Sequence, residues 1–583
     1  MRTLLTAIHS KYIHSSPALF SIRAAAGDYG KSMEIAEYTI NQTFDHILGS
    51  IYDHRSEILM FSCYIWNITL VRELAEAYRA IDPETIIWAG GPEVTYESER
   101  FLAENPAFDG VTIGEGEETT AELMGFFAGS GVKSLAEIAG IAYRENGEIK
   151  RTPVRKPIDM NTLPFIYRNL GNWENRIIYY ESSRGCPFSC AYCLSSIEKD
   201  LRFRDLSLTL SELSFFLEAG TAQVKFTDRT FNCRPDRVKA IWRHLLEKDN
   251  GVTNFHFEIA ADLFDEEELE ILEKARPGLI QLEIGVQSTN PETLAAIHRK
   301  ADFGKIRDVV NRIRSFGNTN QHLDLIAGLP YEGYESFQNS FNDVYALRPE
   351  QLQLGFLKVL KGSDMALQAP CYGIRYRSRP PYEVLATDWL DYGEIRRLKE
   401  IEEVLELYYN SGQYVETILA AEPYFSDAFS MYESLAAYYR ANALFALRFS
   451  RERRAEILLD FLAANGGNRS LFAETLTYDL YARENMKSRP SFSGQEEPDP
   501  RARRAFYERE AESPRYLAGY ENYDAKQLSR MTHMESFRSA FLPDGSGIYL
   551  FDYRRRNPVN GGAAVTRVPD EEWKHEEKNT GNH

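Results

Sequence analysis

Three cysteines lie within eight residues of one another, directly after a short apolar run. Their spacing is C-x3-C-x2-C, at Cys186, Cys190 and Cys193, and the run Ile177–Tyr180 before them is typical of a strand. A glycine and a proline beside the first cysteine predict a loop. Three thiolates on one short loop can converge on a soft metal centre, and an iron–sulfur cluster is the usual occupant of such a site. The fold must therefore deliver this loop from the end of a strand.

The alternative to a cluster is a zinc site or a set of buried thiols. Structural zinc takes four ligands, usually as two spaced pairs, and no fourth Cys or His lies close to the loop in the sequence. A cubic 4Fe-4S cluster has four irons, so three cysteines leave one iron without a protein ligand. We therefore favour the cluster over zinc.

The cysteine loop resembles that of the radical S-adenosylmethionine (SAM) superfamily. Tyr192 occupies the aromatic position just before the last cysteine, as in the family pattern. In that family the amino and carboxylate groups of SAM chelate the open iron. An electron from the cluster then splits the sulfonium of SAM and releases a 5′-deoxyadenosyl radical. The resemblance implies that Cys186, Cys190 and Cys193 are the catalytic, metal-ligating residues and that Tyr192 lies at the cofactors.

Bulk composition fits an ordinary globular protein of several domains. The chain has 583 residues, of which 43% are hydrophobic and 26% charged. It has no run of eighteen apolar residues, so we expect no membrane span. The first nine residues favour a strand over a signal peptide. The net charge of −19 argues against a nucleic acid partner.

Cysteine usage indicates a reducing compartment. Besides the three in the loop, Cys63, Cys233 and Cys371 are scattered along the chain and form no disulfide framework. We expect them to be buried thiols and the protein to be cytoplasmic.

Residues 1–140 alternate strand-like and helical patterns. Five βα units predict a Rossmann-like, doubly wound parallel sheet, in which ligands bind beyond the carboxyl ends of the strands. The expected strands are Thr3–Ile8, Met33–Tyr38, Ile58–Ser62, Thr85–Ala89 and Gly110–Ile113. The expected helices are Ser16–Ala26, Phe44–Tyr52, Ile68–Ile81, Tyr96–Glu104 and Glu117–Phe127.

The loops at the strand ends contain glycines that would let the backbone approach a ligand. Together, ahead of the cysteine loop, they resemble the cobalamin-binding domain that is fused to many radical SAM enzymes. The resemblance implies a cofactor-binding set at Ser62, Trp66, Gly90, Gly91, Thr95, Gly114, Glu115, Gly116 and Glu117. The Asp-x-His-x-x-Gly pattern that supplies a cobalt ligand elsewhere is absent, and we expect neither His9 nor His14 to bind cobalt. A dinucleotide site is disfavoured, because no Gly-x-Gly-x-x-Gly follows the first strand.

Residues 141–176 contain hairpin-like pieces and several prolines and are interpreted as a linker. Residues 177–364 then show six further βα units, matching the partial (βα)6 TIM-like barrel of the superfamily. The expected strands are Ile177–Glu181, Gln223–Thr227, Asn254–Ala260, Leu279–Gly285, His322–Ala327 and Gln351–Leu357. The expected helices are Leu208–Ala219, Arg234–Lys248, Asp265–Lys274, Pro291–Phe316 and Tyr334–Leu347.

Polar residues occur in these strands where a cofactor site would need them. Glu258 and Glu283 lie within apolar strands, where a carboxylate is costly to bury without a partner. For a single strand-end carboxylate such as Asp228, a solvated position is the ordinary alternative. The strand of Glu283 and Gln287 resembles the family's ribose-contacting strand, and the turn of Gly328 is similar to the family's adenine-packing turn. All five are predicted cofactor-binding residues.

Beyond residue 364 the hydrophobic period becomes helical, and we expect a mostly helical domain over residues 365–568 with a disordered tail at 569–583. The abundant Tyr and Phe are expected in the core, with stacking on a flat substrate as the alternative. Gly547–Tyr553 favours a strand, and the following arginines, Arg554–Arg556, favour a solvated run over an acid-binding site. A loop is expected at Ser488–Arg503. The region resembles an uncharacterised helical extension of some cobalamin radical proteins.

The motifs are compatible with more than one function. The resemblance favours a cobalamin-dependent radical SAM enzyme with a 4Fe-4S cluster, SAM and cobalamin, and among such enzymes a methyltransferase that acts on an unactivated carbon. Its expected partners are a small-molecule or peptide substrate and an electron donor such as flavodoxin or ferredoxin. A radical cyclase or rearrangement enzyme, or a non-catalytic cofactor-binding sensor, stays open. Methylthiotransferases are disfavoured, because only Cys63 precedes the cysteine loop.

Overall fold

The computed structural model describes residues 1–494, 497–539, 541–569 and 573. The chain forms two compact units. The first comprises residues 1–316, 326–333 and 356–391, and the second comprises residues 317–325, 334–355 and 392–583. Within the described residues, no helix is both long enough and apolar enough to cross a membrane.

The first sheet has seven strands in the order β2-β1-β3-β4-β5-β6-β7. The pairings among β1 to β5 are parallel, and those of β5 with β6 and β6 with β7 are antiparallel. Every residue of β1 and β3 is buried, as expected for strands covered on both faces. The strands are β1 (Thr3–His9), β2 (Met33–Thr39), β3 (Ile58–Ser62), β4 (Ile86–Gly90), β5 (Gly110–Thr112), β6 (Ile141–Glu145) and β7 (Glu148–Arg151). The helices are α1 (Pro17–Ala25), α2 (Phe44–Asp53), α3 (Ile68–Ile81), α4 (Pro92–Thr95), α5 (Ser98–Glu104) and α6 (Glu117–Phe127).

The doubly wound sheet is confirmed, but part of the expected linker belongs to it. The hairpin of β6 and β7 adds to the sheet edge, because Ile141 to Tyr143 pair with Thr112 to Gly110 in β5. Residues after Arg151 then cross to the next sheet with only short 3-10 turns.

The second sheet has six strands in the order β15-β14-β13-β12-β11-β8, and the pairings among β8, β11, β12 and β13 are parallel. The strands of this region are β8 (Ile178–Tyr180), β9 (Ser183–Arg184), β10 (Arg202–Phe203), β11 (Gln223–Phe226), β12 (Asn254–Ile259), β13 (Ile280–Gln287), β14 (Asn320–Ala327) and β15 (Gln351–Phe356). The helices are α7 (Leu206–Glu218), α8 (Pro235–Glu247), α9 (Glu266–Glu273), α10 (Pro291–Ala296), α11 (Phe303–Phe316) and α12 (Tyr334–Tyr345). The single helix expected over Pro291–Phe316 is wrong, because the chain turns at His298 with φ +54°.

The loop after β1 covers the exposed edge beside β8. Ile177 donates its N–H to the carbonyl of Ile13 at 2.9 Å, and the Ser15 hydroxyl donates to the carbonyl of Ile177 at 3.2 Å. An edge strand has unpaired backbone groups that need such a partner. The first sheet therefore contributes to closing the open side of the second.

The remaining elements divide between the two units. A short helix, α13 (Asp364–Gln368), and a small hairpin of β16 (Arg375–Tyr376) and β17 (Val384–Ala386) belong to the first unit. The second unit contains α14 (Tyr392–Leu405), α15 (Val415–Ala421), α16 (Ala428–Ala441), α17 (Arg451–Ala464), α18 (Arg469–Arg483), α19 (Pro500–Glu512) and α20 (Ala525–Met531). It also contains the strands β18 (Thr532–Phe537), β19 (Gly547–Arg556) and β20 (Ala563–Val568).

The helical expectation for the carboxyl-terminal region holds for most of its length, but the last three strands form an antiparallel sheet. Arg554 and Arg556 end β19, and their guanidinium groups donate to Tyr523 and to the carbonyl of Arg483, respectively. Of the thiols expected to be buried, Cys63 is buried, but Cys233 is half-buried and Cys371 is exposed. The expected tail lies outside the described residues except for 569 and 573.

Candidate functional site

The cysteine loop leaves the end of β8 and is closed by a short antiparallel pair. Arg184 in β9 is opposite Arg202 in β10, so residues 185–201 form one closed excursion. Cys186 and Cys190 are buried and Cys193 is half-buried. The N–H of Cys193 donates to the carbonyl of Cys190 at 3.1 Å, which folds the second half of the motif into a turn.

Asp228 fixes the chain just before the loop. It follows β11, is fully buried, and accepts hydrogen bonds from the N–H and hydroxyl of Ser182 and from the hydroxyl of Ser183 at 2.6–2.8 Å. Burial raises the pKa of Asp228, and these donors oppose the rise. Its carboxylate is therefore engaged by protein donors, and it orients the segment that leads into the cysteines.

Arg299 lies beside the cysteine loop and was not anticipated from the sequence. Its Nη1 is 3.7 Å from Cys190 Sγ, although the two residues are 109 positions apart in the chain. Its Nη2 donates to the carbonyl of Gly285, whereas its buried Nε has no hydrogen-bond partner. Burial raises the pKa of the Cys190 thiol, and Arg299 opposes that rise. No local pattern marks this arginine, because only the chain path brings it to the loop.

Glu283 and Glu258 are neighbours on β13 and β12 but have different environments. Glu283 is 3.0 Å from the Lys225 ammonium and 2.9 Å from His256 Nε2. Burial would raise the pKa of Glu283, yet these two partners lower it to about 2. Among the described residues, Glu258 forms a single long ion pair, 3.9 Å from Arg229, and burial raises its pKa to about 7. One carboxylate is therefore held by the protein, whereas the other has capacity for a ligand.

Gln287 ends β13 with φ +72°, a conformation that an L-residue adopts at a cost. Its side-chain Oε1 is buried and has no hydrogen-bond partner. A buried polar atom without a partner is unfavourable, so this oxygen suits a donor from a bound molecule. Gly328 follows β14 at φ +87°, and a Cβ there would lie 2.7 Å from Val384 Cγ1, so packing alone requires its glycine.

The glycine loops of the first sheet are linked to one another. Thr95 donates its hydroxyl to the carbonyl of Gly91 at 3.0 Å and accepts the N–H of Gly114 at 3.4 Å. Gly91 has φ +108°, and a Cβ there would lie 2.6 Å from the Cys63 carbonyl oxygen. Gly114 has φ +74° and open space at its Cβ position, so a ligand could approach its backbone. Gly90 and Gly116 flank these positions at the ends of β4 and before α6.

Ser62 and Trp66 lie at the end of β3 and in the loop that follows. Ser62 is buried, and its carbonyl accepts from the Asn67 side chain at 2.9 Å. Trp66 donates its indole N–H to the carbonyl of Ile8 at 3.0 Å. This bond fixes the indole above the end of β1.

Glu115 and Glu117 form ion pairs with arginines on both sides of the cysteine loop. Arg184 lies 2.8 Å from Glu115 and 2.6 Å from Glu117, and Arg202 lies 2.9 Å from Glu115. Glu117 and Arg184 are 5% and 15% exposed, so water screens these charges little. We call Glu115, Glu117, Arg184 and Arg202 the inter-loop ion-pair cluster. It joins the glycine loop after β5 directly to the cysteine loop.

Both histidines of the loop after β1 have protein partners. His9 Nε2 is 2.9 Å from Glu37, which also pairs with Arg176 and accepts the Ser16 N–H. His14 Nδ1 is 2.7 Å from the Tyr179 hydroxyl, and burial lowers the pKa of His14. These contacts give each histidine a role in joining the first sheet to the connection and to β8.

A cavity of about 560 Å³ lies between the loops of the first sheet and the mouth of the second. The loops after β1 and β3 line one side, residues of the 160–167 connection line another, and the ends of β8 and β11 complete it. Its lining includes Trp66, Arg184 and Arg229. The cavity thus places Trp66, a predicted cobalamin residue, in the same lining as Arg184, which lies two positions before Cys186 in the chain.

Family models match the chain in three segments. One described as B12 binding domain matches residues 4–124, and one described as radical SAM superfamily matches residues 180–344. A third, described as a protein of unknown function (DUF4080), matches residues 371–544.

The chain joins a B12 binding domain to a radical SAM domain.

Known proteins resemble the chain over long segments. An uncharacterized methyltransferase of Pyrococcus horikoshii is 29% identical over 276 residues, which cover 46% of this chain and 59% of the relative. The cobalamin-dependent SAM radical enzyme OxsB, solved with aqua-cobalamin and SAM, aligns with a TM-score of 0.56 at 16% identity, covering 82% of this chain and 78% of that chain. The radical SAM methyltransferase TsrM of Kitasatospora setae, solved with cobalamin and a 4Fe-4S cluster, aligns with a TM-score of 0.54 at 15% identity, covering 66% and 79%. At such identities the structural likeness shows the fold alone. The chain spans about half the length of the curated relatives it matches.

The two domains imply a 4Fe-4S cluster, SAM and cobalamin, and the residues present fit them. Across the described residues, no three His, Cys, Asp or Glu side chains meet closely enough to hold a single metal ion. A cubane cluster does not require its ligands to meet at one ion, because each cysteine binds a different iron. Three thiols on one closed loop can therefore hold it. The partnerless buried atoms of Gln287 and Arg299 suit the polar groups of SAM. The open space at Gly114 suits the approach of cobalamin.

Proposed function

We propose that the protein is a cobalamin-dependent radical SAM methyltransferase that acts on an unactivated carbon of a small molecule. The inter-loop ion-pair cluster carries this proposal, because it connects the glycine loop of the B12 binding domain to the cysteine loop. Chemistry that passes between two cofactors requires that they be held at a fixed separation. The similarity to methyltransferases in both sequence and fold supports the same activity.

The residue roles follow from the contacts. We assign the ligation of the 4Fe-4S cluster to Cys186, Cys190 and Cys193. Asp228 is a positioning residue for the segment before them. Gln287 and Glu258 are assigned to SAM, together with the Arg299 guanidinium that lies beside Cys190. The backbone around Gly90, Gly91, Thr95 and Gly114 is assigned to cobalamin.

The bound cofactors would supply a reducing electron, a carbon radical and a methyl group. The chain's own residues hold these groups in place and exclude water. A primary radical abstracts hydrogen from almost any nearby C–H bond, so the substrate must be enclosed and oriented. The cavity wall supplied by the first sheet, the connection and the second sheet gives part of that enclosure.

The deciding experiment uses the full chain, purified without oxygen and reconstituted with iron, sulfide and hydroxocobalamin. After reduction with SAM present, we expect both 5′-deoxyadenosine and S-adenosylhomocysteine by mass spectrometry. Without cobalamin only the first product should form. Intact SAM in iron-replete protein would refute the radical assignment, and failure to retain cobalamin would instead indicate a cobalamin-free radical enzyme.

The proposal extends to an electron donor of the flavodoxin or ferredoxin type and to a reducing, cytoplasmic location. An exposed thiol at Cys371 and an oxygen-sensitive cluster both suit such a compartment. Reduction of the reconstituted protein by purified flavodoxin, followed through 5′-deoxyadenosine, tests the donor.

A further inference from the structure

Aromatic rings line the cavity on the side of the first sheet. Tyr64 stacks on Trp66 with 4.4 Å between ring centroids and 8° between planes. Trp66 is 44% exposed even though its N–H is fixed to the Ile8 carbonyl. Phe165 and Tyr167 of the connection contribute further rings. Fixed, exposed aromatic faces on a cavity wall are suited to stacking on a planar apolar group.

Most charged groups in the cavity wall are compensated by protein partners. Arg204 forms a two-point ion pair with Glu212, at 2.8 and 2.6 Å. Arg184 belongs to the inter-loop ion-pair cluster and also lies 2.9 Å from Glu181. The hydroxyl of Tyr180 donates to Glu212 at 2.6 Å. These groups are therefore not available to a charged ligand without breaking a buried pair.

Arg229 differs from the other two arginines of the cavity wall. Its side chain is 56% exposed, and its ion pair with Glu258 is long at 3.9 Å. Burial raises the pKa of Glu258 to about 7, so that carboxylate is only partly ionised near neutral pH. The positive charge of Arg229 is thus only partly neutralised. His14 also lines the cavity, and its Nδ1 lies 2.7 Å from the Tyr179 hydroxyl.

Building on the proposed function, we propose that the cavity admits a small planar substrate that carries a carboxylate or phosphate, and that Arg229 pairs with this oxyanion. A guanidinium matches the geometry of both oxyanions with two parallel hydrogen bonds. The volume of about 560 Å³ falls in the range of small-molecule sites. The aromatic wall would hold the ring system while Arg229 holds the charged end.

Binding of simple probes to the full reconstituted protein tests this without turnover. Naphthaleneacetate is the planar anion, naphthaleneacetamide its neutral counterpart, and cyclohexaneacetate the non-planar anion. By calorimetry we expect naphthaleneacetate to bind about tenfold more tightly than either other probe. Naphthyl phosphate against naphthaleneacetate distinguishes the two oxyanions.

Two variants make the test specific. Arg229→Gln should reduce the preference for the anion to about threefold or less, whereas Arg229→Lys should keep part of it. Arg234→Gln is the matched control, because Arg234 is a nearby exposed arginine that does not line the cavity. Equal binding of all probes, an unchanged preference in Arg229→Gln, or binding of the acid only to protein reconstituted without cobalamin would overturn the proposal.

The outcome is separable from that of the proposed function. If the protein cleaves SAM but binds all probes alike, only the proposed substrate class is refuted. If the protein prefers the planar anion but leaves SAM intact, only the proposed radical chemistry is refuted.

Discussion

The two compact units use buried carboxylates in different ways. In the first unit, Glu115 and Glu117 pair with arginine side chains and so connect the glycine loop after β5 to the cysteine loop. In the second unit, Asp479 accepts the N–H groups of Glu416 and Thr417 at 3.1 and 2.9 Å and thereby caps α15. Glu510 likewise accepts three consecutive backbone N–H groups after α19.

This difference separates charges that position a site from charges that complete secondary structure. Removing a capping carboxylate should cost folding stability and leave cofactor chemistry intact. Removing a side-chain ion pair between loops should change the geometry of the site as well as stability. Variants in each unit can therefore confirm or break the distinction.

The largest effect is expected from a cluster ligand. Cys190→Ser should abolish iron retention and lower 5′-deoxyadenosine formation by more than about a thousandfold, because the cluster loses one of three thiolates. Iron assay and mass spectrometry measure both. Cys371→Ser is the control, since this thiol is exposed and distant in sequence from the loop. Unchanged deoxyadenosine in Cys190→Ser would contradict the cluster assignment.

The next effect concerns the inter-loop ion-pair cluster. Arg184→Gln leaves the buried Glu117 without its ion-pair partner and Glu115 with Arg202 alone, and it should cost about 3–5 kcal/mol of unfolding free energy. We also expect about a tenfold loss of cobalamin affinity, and a weaker magnetic interaction between the reduced cluster and cobalt by electron paramagnetic resonance. Glu118→Gln, one residue from Glu117 but exposed, is the control. If the variant is destabilised but its cobalamin affinity and magnetic interaction are unchanged, the inter-loop ion-pair cluster only stabilises the fold.

A smaller effect is expected from Asp479 in the second unit. Burial raises the pKa of Asp479 to about 7, against an ordinary value near 4. The folded state therefore binds the proton more tightly, so the carboxyl's contribution to stability falls as pH rises from about 4 to about 7. Asp479→Asn should remove this dependence, changing the stability difference from wild type by about 3 kcal/mol across that interval. Denaturant unfolding at several pH values measures it, with the more exposed Asp460→Asn as control. A parallel pH dependence in wild type and Asp479→Asn would show that this carboxyl does not titrate there.

The smallest effect is expected from Glu258. Its pKa of about 7 means that it becomes ionised between roughly pH 6 and 8. An ionised carboxylate accepts hydrogen bonds more strongly, so SAM affinity should rise over this interval by up to about tenfold. Glu258→Gln should flatten the profile and leave the iron content unchanged. Loss of iron in this variant, or an unchanged profile, would place Glu258 away from SAM.

Much of the fold could be predicted because local patterns and tertiary packing agree. The helix Ile68–Ile81 and the strand Ile58–Ser62 have the expected bounds, since each has a clear period and clear flanking loops. The expected helix Pro291–Phe316 failed because its hydrophobic pattern continues past the break at His298. The hairpin Ile141–Arg151 could not be assigned to the first sheet, because strand pairing at a sheet edge depends on distant partners.

The sequence by itself determined that three thiols lie on one short loop, because their spacing is local, and it thereby predicted that they share a centre. It also determined the alternating βα pattern of both sheets, since that pattern is local. Only the tertiary structure decided that Glu115 and Glu117 pair with Arg184, that Asp228 orients Ser182, and that Arg299 reaches Cys190. These contacts join residues far apart in the chain, and no local rule specifies which arginine a buried carboxylate will meet. The physical reason is that a buried charged or polar group needs a partner, but burial does not specify which residue that partner will be.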